Sequence, residues 1–262
     1  MPNYYFFWLL KLGMPINLYF FWKTLYHPLE LVDPNLLVPA QILFIVSAYR
    51  CCYPVNYITH AVVHDSVFSS IFITRFLATF VEIAYIYQFS YLIRLINNDM
   101  FFIIDFASWI MVFQVTLSQC FVWFAILTKK QKLYYYEEFG WAIIFLINTF
   151  CSLYLYLNIE SNTINHYYSL IYINLIFGLI YLPWQLFHLR SIKLRIYEKK
   201  DNSHLTFDII WLLIKEGVKD SIRVKKVSYN FQDWGGIIGL TWMVCYWATL
   251  IPSWLYYIII SV

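Results

Sequence analysis

The sequence predicts an all-α fold, a polytopic transmembrane helical bundle, and three observations carry that expectation. Of 262 residues, 61% are hydrophobic and 13% are charged, against roughly 25% charged in a soluble domain. Apolar runs of about 20 residues recur along the chain, the length that crosses ~30 Å of hydrocarbon. Aromatic residues reach 22%, with 24 Tyr, 23 Phe and 11 Trp, and part of that excess fits a belt at the membrane–water interface. The mean hydropathy of +0.61 agrees. No internal repeat or low-complexity tract interrupts the pattern, so residues 1–262 read as a single domain.

The elements follow in order. Residues 4–26 are aromatic but broken by Lys11, Gly13, Pro15 and Lys23, and read equally as a kinked span or an interfacial segment. The first clear span is 34–49, closed by Arg50. Pro54 disfavours helix at the residue before it, which ends that span in a loop. Spans two to six are expected at about 66–94, 100–127, 134–157, 167–189 and 234–260, making six spans, or seven if 4–26 crosses. Asn97, Asn98 and Asp99 read as a turn and cap for the third span, and IESNTINH as a short polar loop after the fourth. Near 206–223, FDIIWLLIKEGVKDSIR places Phe207, Ile210, Trp211, Ile214 and Val218 on one side, the pattern of an amphipathic helix lying on a membrane.

Lys and Arg cluster in alternate loops, at Arg50, at 129–132 and between Arg190 and Lys226. These basic loops are expected on the cytoplasmic or matrix side. The enrichment in Phe, Tyr, Ile, Asn and Lys, with only 7 Gly and 8 Pro, is that of an AT-rich gene. We read it as mitochondrial, which places the chain in the inner membrane with the basic loops toward the matrix. The five cysteines, Cys51, Cys52, Cys120, Cys151 and Cys245, form no disulfide framework and no CxxC. The start reads neither as a cleavable signal nor as an Arg-rich transit peptide.

The second span carries charge. Arg75, Ala78, Thr79 and Glu82 fall at i, i+3, i+4 and i+7, on one helix face. A charge deep in a bilayer costs from a few to over ten kcal/mol unless partnered, so something must receive that face. Arg75 and Glu82 are separated by about 10.5 Å of helix rise and are expected not to satisfy each other. Asp105 or Glu137 is then the partner expected for Arg75, and Gln119, Tyr181 or a proton of its own for Glu82. Later spans offer polar or small stripes: Asp105, Ser108, Thr116 and Gln119; Glu137, Trp141, Asn148, Cys151 and Ser152; Asn174, Gly178, Tyr181, Gln185 and His188; Gly235, Gly239, Trp242, Tyr246, Thr249 and Ser253. Such ties serve either function or helix register, and the residues alone leave both open.

Other chemistry is thin. His60 and His64, at i and i+4 with Asp65 next, have spacing for a shared metal. They read instead as interfacial residues, with Asp65 or Ser66 capping span two, and no metal is expected. Only His188 lies on an interior stripe, which excludes a bis-histidine haem. There is no GxSxG, HExxH or Walker motif, and no cofactor of the chain's own or nucleic-acid partner is expected. The expected partners are the lipid bilayer, including bound phospholipid, and other subunits.

Two resemblances follow from these residues. An arginine closing a helix (Arg50), a loop histidine (His64) and a buried glutamate followed by aromatics (Glu82 in FVEIAYIYQFSY) make the chain resemble mitochondrial cytochrome c oxidase subunit III. The likeness is loose and covers most of the chain. Ala48 and Tyr49 stand where that family has tryptophans, and the glycine-rich opening of its sixth helix is missing. It implies a non-catalytic subunit of a respiratory complex, without redox centres, that binds lipid and supports the catalytic subunit. Locally, SYLIRLINN, with Ser90, Arg94 and Asn98, is similar to the arginine helix of ATP synthase subunit a, which implies proton translocation. Transport by Glu82 and Asp105 with Arg75 as counter-charge is the rival reading, and a membrane-embedded enzyme on an apolar substrate the third.

Overall fold

Helix dominates because the backbone of a membrane-crossing segment must satisfy its own hydrogen bonds. The computed structural model describes residues 4–26, 33–158, 165–198 and 207–262. The segment expected to join the first two helices (27–32), most of IESNTINH (159–164), part of the long basic loop (199–206) and the side chain of Phe207 lie outside the described residues. The helices are α1 (Tyr4–Leu25), α2 (Pro34–Cys52), α3 (Ile71–Asn97), α4 (Phe102–Thr128), α5 (Gln131–Asn158), α6 (Asn165–Glu198), α7 (Phe207–Arg223), α8 (Gly236–Met243) and α9 (Leu250–Ser261). Among the described residues six segments are long and apolar enough to cross a membrane: α2 to α5, Tyr167–Leu194 within α6, and Gly236–Ser261 taken together. The chain is a multi-pass membrane protein whose apolar helices contact lipid.

The Cα packing groups the chain into two compact units. The first holds α1, α2, α3 up to Ala84, the end of α4 (Ile126–Thr128), α7, α8 and most of α9. The second holds the remainder of α3, most of α4, and α5 and α6. Each is described by itself.

In the first unit α1 is one continuous helix through Gly13 and Pro15. Close packing over Gly13 supports it there. A Cβ at that position would sit 2.4 Å from Ala248 Cβ and 2.8 Å from Cys51 Sγ, so only glycine lets these backbones approach. Asn17 Nδ2 donates to the carbonyls of Gly13 (2.7 Å) and Trp247 (2.9 Å), tying α1 to the segment between α8 and α9.

That segment corrects the reading of 234–260 as one regular span. Val244–Ala248 form a π-helical turn, in which Thr249 N–H donates to Val244 C=O. A π turn inserts one residue, which rotates everything after it by roughly 100°. Tyr246 is therefore buried as expected, whereas Thr249 and Ser253 turn outward and Ile251, Trp254, Leu255 and Ile258 fill the core. Pro252, with no N–H to give, follows directly.

The loop after α2 forms a small sheet. Val55–Asn56 (β1) pairs antiparallel with Ala61–Val62 (β2), which pairs parallel with Lys226–Val227 (β3). Asn56 Oδ1 accepts from the N–H groups of Ile58 (2.9 Å) and Thr59 (3.3 Å), an Asx turn that fixes the hairpin. Span two begins later than expected. Ser66 caps a short 3₁₀ turn, Val67–Ser69, and α3 starts only at Ile71.

Helix α7 docks through Gly217, where an added Cβ would lie 2.1 Å from the Leu127 carbonyl oxygen. Ile209, Trp211, Leu212 and Ile222 stay exposed, so Trp211 is not on the docked side. Lys129 Nζ also holds Asp220 at 2.6 Å. That hydrogen bond is the main reason the Asp220 carboxyl titrates below its ordinary range. Because the folded value is depressed, the stabilisation is present above the unfolded pKa and disappears as pH falls through the folded one. The pair is largely exposed, so its worth is under about 1 kcal/mol. Lys129→Ala is expected to speed amide exchange in α7 at neutral pH by up to about fivefold. It should also remove the acid sensitivity left after correction for intrinsic rates; unchanged exchange would show that the tie does not hold α7.

In the second unit the stripes on α5 and α6 are buried as predicted, apart from His188, which is half-buried. Asn148 and Asn174 exchange reciprocal amide hydrogen bonds at 3.0 Å, and Asn174 Nδ2 also reaches Ser152 at 2.8 Å. On α4 the buried face centres on Ser108, Met111, Val115, Ser118 and Val122. Thr116 lies at its edge, exposed, and returns its hydroxyl to Val112 C=O.

Candidate functional site

A cluster of buried charged groups lies in the first unit, where Arg50, Arg75 and Glu82 gather around the half-buried Tyr57. Three local features assemble it. Arg50 is in the last turn of α2, Tyr57 follows β1 in the hairpin turn, and α3 carries the two charges seven residues apart. Arg75 is 2% and Glu82 6% exposed.

The two charges of α3 close on each other, contrary to the expectation from helix rise. Arg75 Nη1 donates to Glu82 Oε1 at 3.1 Å and Nη2 to Oε2 at 2.8 Å, a two-pronged pair. The rise between the Cα atoms is bridged because a helical side chain leans toward the N-terminus, so Glu82 reaches back while the long Arg75 stem extends forward. With α3 starting at Ile71, Arg75 stands only about 6 Å into the helix and Glu82 about 16 Å. The arginine is thus nearer the helix end than its place in the 66–94 stretch implied. Thr79 donates its hydroxyl to the Arg75 carbonyl at 3.0 Å.

Arg50 has a different environment. It is 3% exposed, with its guanidinium carbon 5.0 Å from the Trp247 ring centroid and 5.1 Å from that of Tyr57. Arg75 approaches the same Tyr57 ring at 5.5 Å, so one aromatic ring is shared between two cations. Arg50 Nη2 makes a long 3.4 Å bond to the Val55 carbonyl, while Nε and Nη1 have no hydrogen-bond partner among the described residues.

The remaining predicted residues sit elsewhere. Arg94 donates through Nη1 to Ser90 Oγ (2.6 Å) and Ser108 Oγ (3.0 Å) and lies 4.1 Å from the Trp109 ring centroid, with Tyr87 and Tyr91 beside it. Ser90 and Arg94 are therefore brought together, but Asn98 is exposed in a left-handed turn (φ 46°). Asp105 accepts from Asn97 Nδ2 at 2.9 Å. That same amide donates to the Phe101 carbonyl, so Asn97 closes the turn rather than capping α4 with an acceptor. Gln119, Glu137 and Tyr181 are buried, Tyr181 with its ring 4.2 Å from that of Phe145.

Gln185 donates to both the carbonyl and the carboxylate of Glu138 at 2.8 Å, and His188 Nε2 lies 3.4 Å from the other carboxylate oxygen. Sequence reasoning missed Glu138, choosing its neighbour Glu137 for the stripe. It also missed Tyr57 and Trp247. Tyr57 stands in a loop with no periodicity to expose it, and the π turn moved Trp247 inward. His60 occupies a left-handed turn (φ 58°) and His64 packs edge-on to Tyr53, so they do not share a helix face. Among the described residues no group of three or more His, Cys, Asp or Glu is placed to hold a metal.

What this arrangement can do is bounded by its chemistry. The Arg75–Glu82 pair spends both carboxylate oxygens, and Arg50 offers a permanent positive charge with donors to spare. Comparison with known proteins adds no relative: no protein-family model, curated protein or solved structure matches this chain.

Proposed function

We propose that the chain is a core membrane subunit of a mitochondrial respiratory complex, similar to the non-redox subunit III of cytochrome c oxidase. In this reading it sits in the inner membrane with its basic loops toward the matrix, binds phospholipid, and supports a catalytic subunit. The observation that carries the reading is the closure of the charged face of α3. Arg75 and Glu82 hold each other in two hydrogen bonds, as a pair that fixes packing does, rather than as carriers waiting for an ion. Three further points support it. The positions carrying the family likeness include Arg50 and Glu82, both in the buried cluster. The Asn148–Asn174 pair is the kind of polar tie that sets helix register in a bundle. Large apolar side chains such as Phe102, Ile103, Phe106 and Phe113 on α4 are left exposed, for lipid or for neighbouring subunits.

The same pair keeps transport as the rival, since Arg75 is the direct counter-charge of Glu82. One experiment separates the two readings. Mild-detergent extracts run on a native gel are expected to carry the chain in a large assembly with haem-bearing partners. A chain that runs alone and conducts protons when reconstituted in liposomes would overturn the subunit reading in favour of translocation.

A further inference from the structure

The buried interior of the first unit is not electrically balanced. Among its described residues, Arg50, Arg75 and Glu82 are the charged side chains in the core, two cations and one anion. Glu82 gives both oxygens to Arg75. Arg50 is in no ion pair with a described residue, and its guanidinium cannot shed the charge by losing a proton. Five N–H donors face one carbonyl at 3.4 Å. The faces of Trp247 and Tyr57 cover the group but accept no conventional hydrogen bond, and the Tyr57 hydroxyl is itself buried without a partner.

A permanently charged, almost fully buried group with unused donors is costly unless an anion completes it. We propose that Arg50, with the Tyr57 hydroxyl as a second donor, is a binding site for a singly charged oxyanion of the phosphate type. Arg50 stands in the last turn of α2, three residues before the chain leaves the helix at Tyr53. At the end of a span both a lipid headgroup phosphate and inorganic phosphate from the aqueous side are within reach. Two rings lie against the guanidinium, and its unused N–H groups, Nε and Nη1 among them, are the donors left for the ligand. The site holds whichever complex the subunit enters.

Thermal unfolding of the full chain tests this, since a ligand that binds only the folded state raises Tm. The protein is delipidated in an uncharged detergent and titrated with inorganic phosphate. In parallel it is placed in nanodiscs of phosphatidylcholine alone or with added phosphatidylglycerol. The proposal expects Tm to rise in at least one arm. A rise with phosphate in detergent identifies a soluble anion, and a rise confined to phosphatidylglycerol identifies an anionic headgroup. The rise should vanish in Arg50→Gln and shrink in Arg50→Lys, which keeps the charge but loses the planar fork. Ligand-free Arg50→Gln is expected to be at least as stable as the parent, because it removes an uncompensated buried charge. Overturning results are no rise in the parent in either arm, or an equal rise in Arg50→Gln. If Arg50→Gln fails to fold, an undiminished rise in Arg50→Lys overturns the proposal as well.

Discussion

Arg75→Met, with Glu82 left in place, is expected to cost the folded protein about 3–5 kcal/mol, because a buried carboxylate loses two hydrogen bonds to a guanidinium. Glu82→Met should cost a similar amount by taking from the buried Arg75 guanidinium the carboxylate that faces it. In a membrane protein of ordinary marginal stability, losses of this size show as a collapse in the amount of extractable folded chain. Unfolding of purified protein in detergent gives the quantity directly. The contrast with Arg50→Gln is informative. Removing one member of a closed pair strands a charge, whereas removing an unpaired charge strands nothing. The two substitutions touch arginines that share one tyrosine ring, and opposite signs are expected.

The second large effect lies at Gly13. A valine there would drive its Cβ to within 2.4 Å of Ala248 Cβ and 2.6 Å of Ala248 Cα. The first contact is a side chain with no freedom to move and the second is backbone, so the helices must part. Overpacking of this kind costs about 1–3 kcal/mol and more where backbone must shift. The damage should spread to the cluster. Parting α1 from the π turn breaks the Asn17 bond to the Trp247 carbonyl, and Trp247 is one of the two rings over Arg50. Gly13→Val is therefore expected to lower Tm and to change the fluorescence of the buried tryptophans together. A fall in Tm with native fluorescence would mean that α1 moves without disturbing Trp247.

Much of the fold was legible because hydrophobic length is a strong signal in a bilayer. Six of the predicted spans correspond to apolar helices, and the stripes on α5 and α6 were placed correctly by 100° periodicity alone. Four features were not legible from hydrophobic periodicity. The π turn at Val244–Ala248 has no sequence mark beyond the nearby Pro252, yet it shifts every later residue to a new face. The start of α3 depends on Ser66 capping a 3₁₀ turn first, so the depth of Arg75 was misjudged. The Arg75–Glu82 pair was rejected from Cα rise, which ignores two side chains leaning toward each other. Tyr57 was invisible for a related reason: a loop residue has no period, and its place is set by the Asx turn at Asn56 and by β3, which lies more than 160 residues away.

A double-mutant cycle measures the closure of Arg75 on Glu82. Arg75→Met, Glu82→Met and the double variant are unfolded under one detergent condition. The double variant is expected to lose less than the sum of the singles by more than about 1.5 kcal/mol, the low end for close charge pairs. Losses that add to within about 0.5 kcal/mol, as for independent sites, would contradict it.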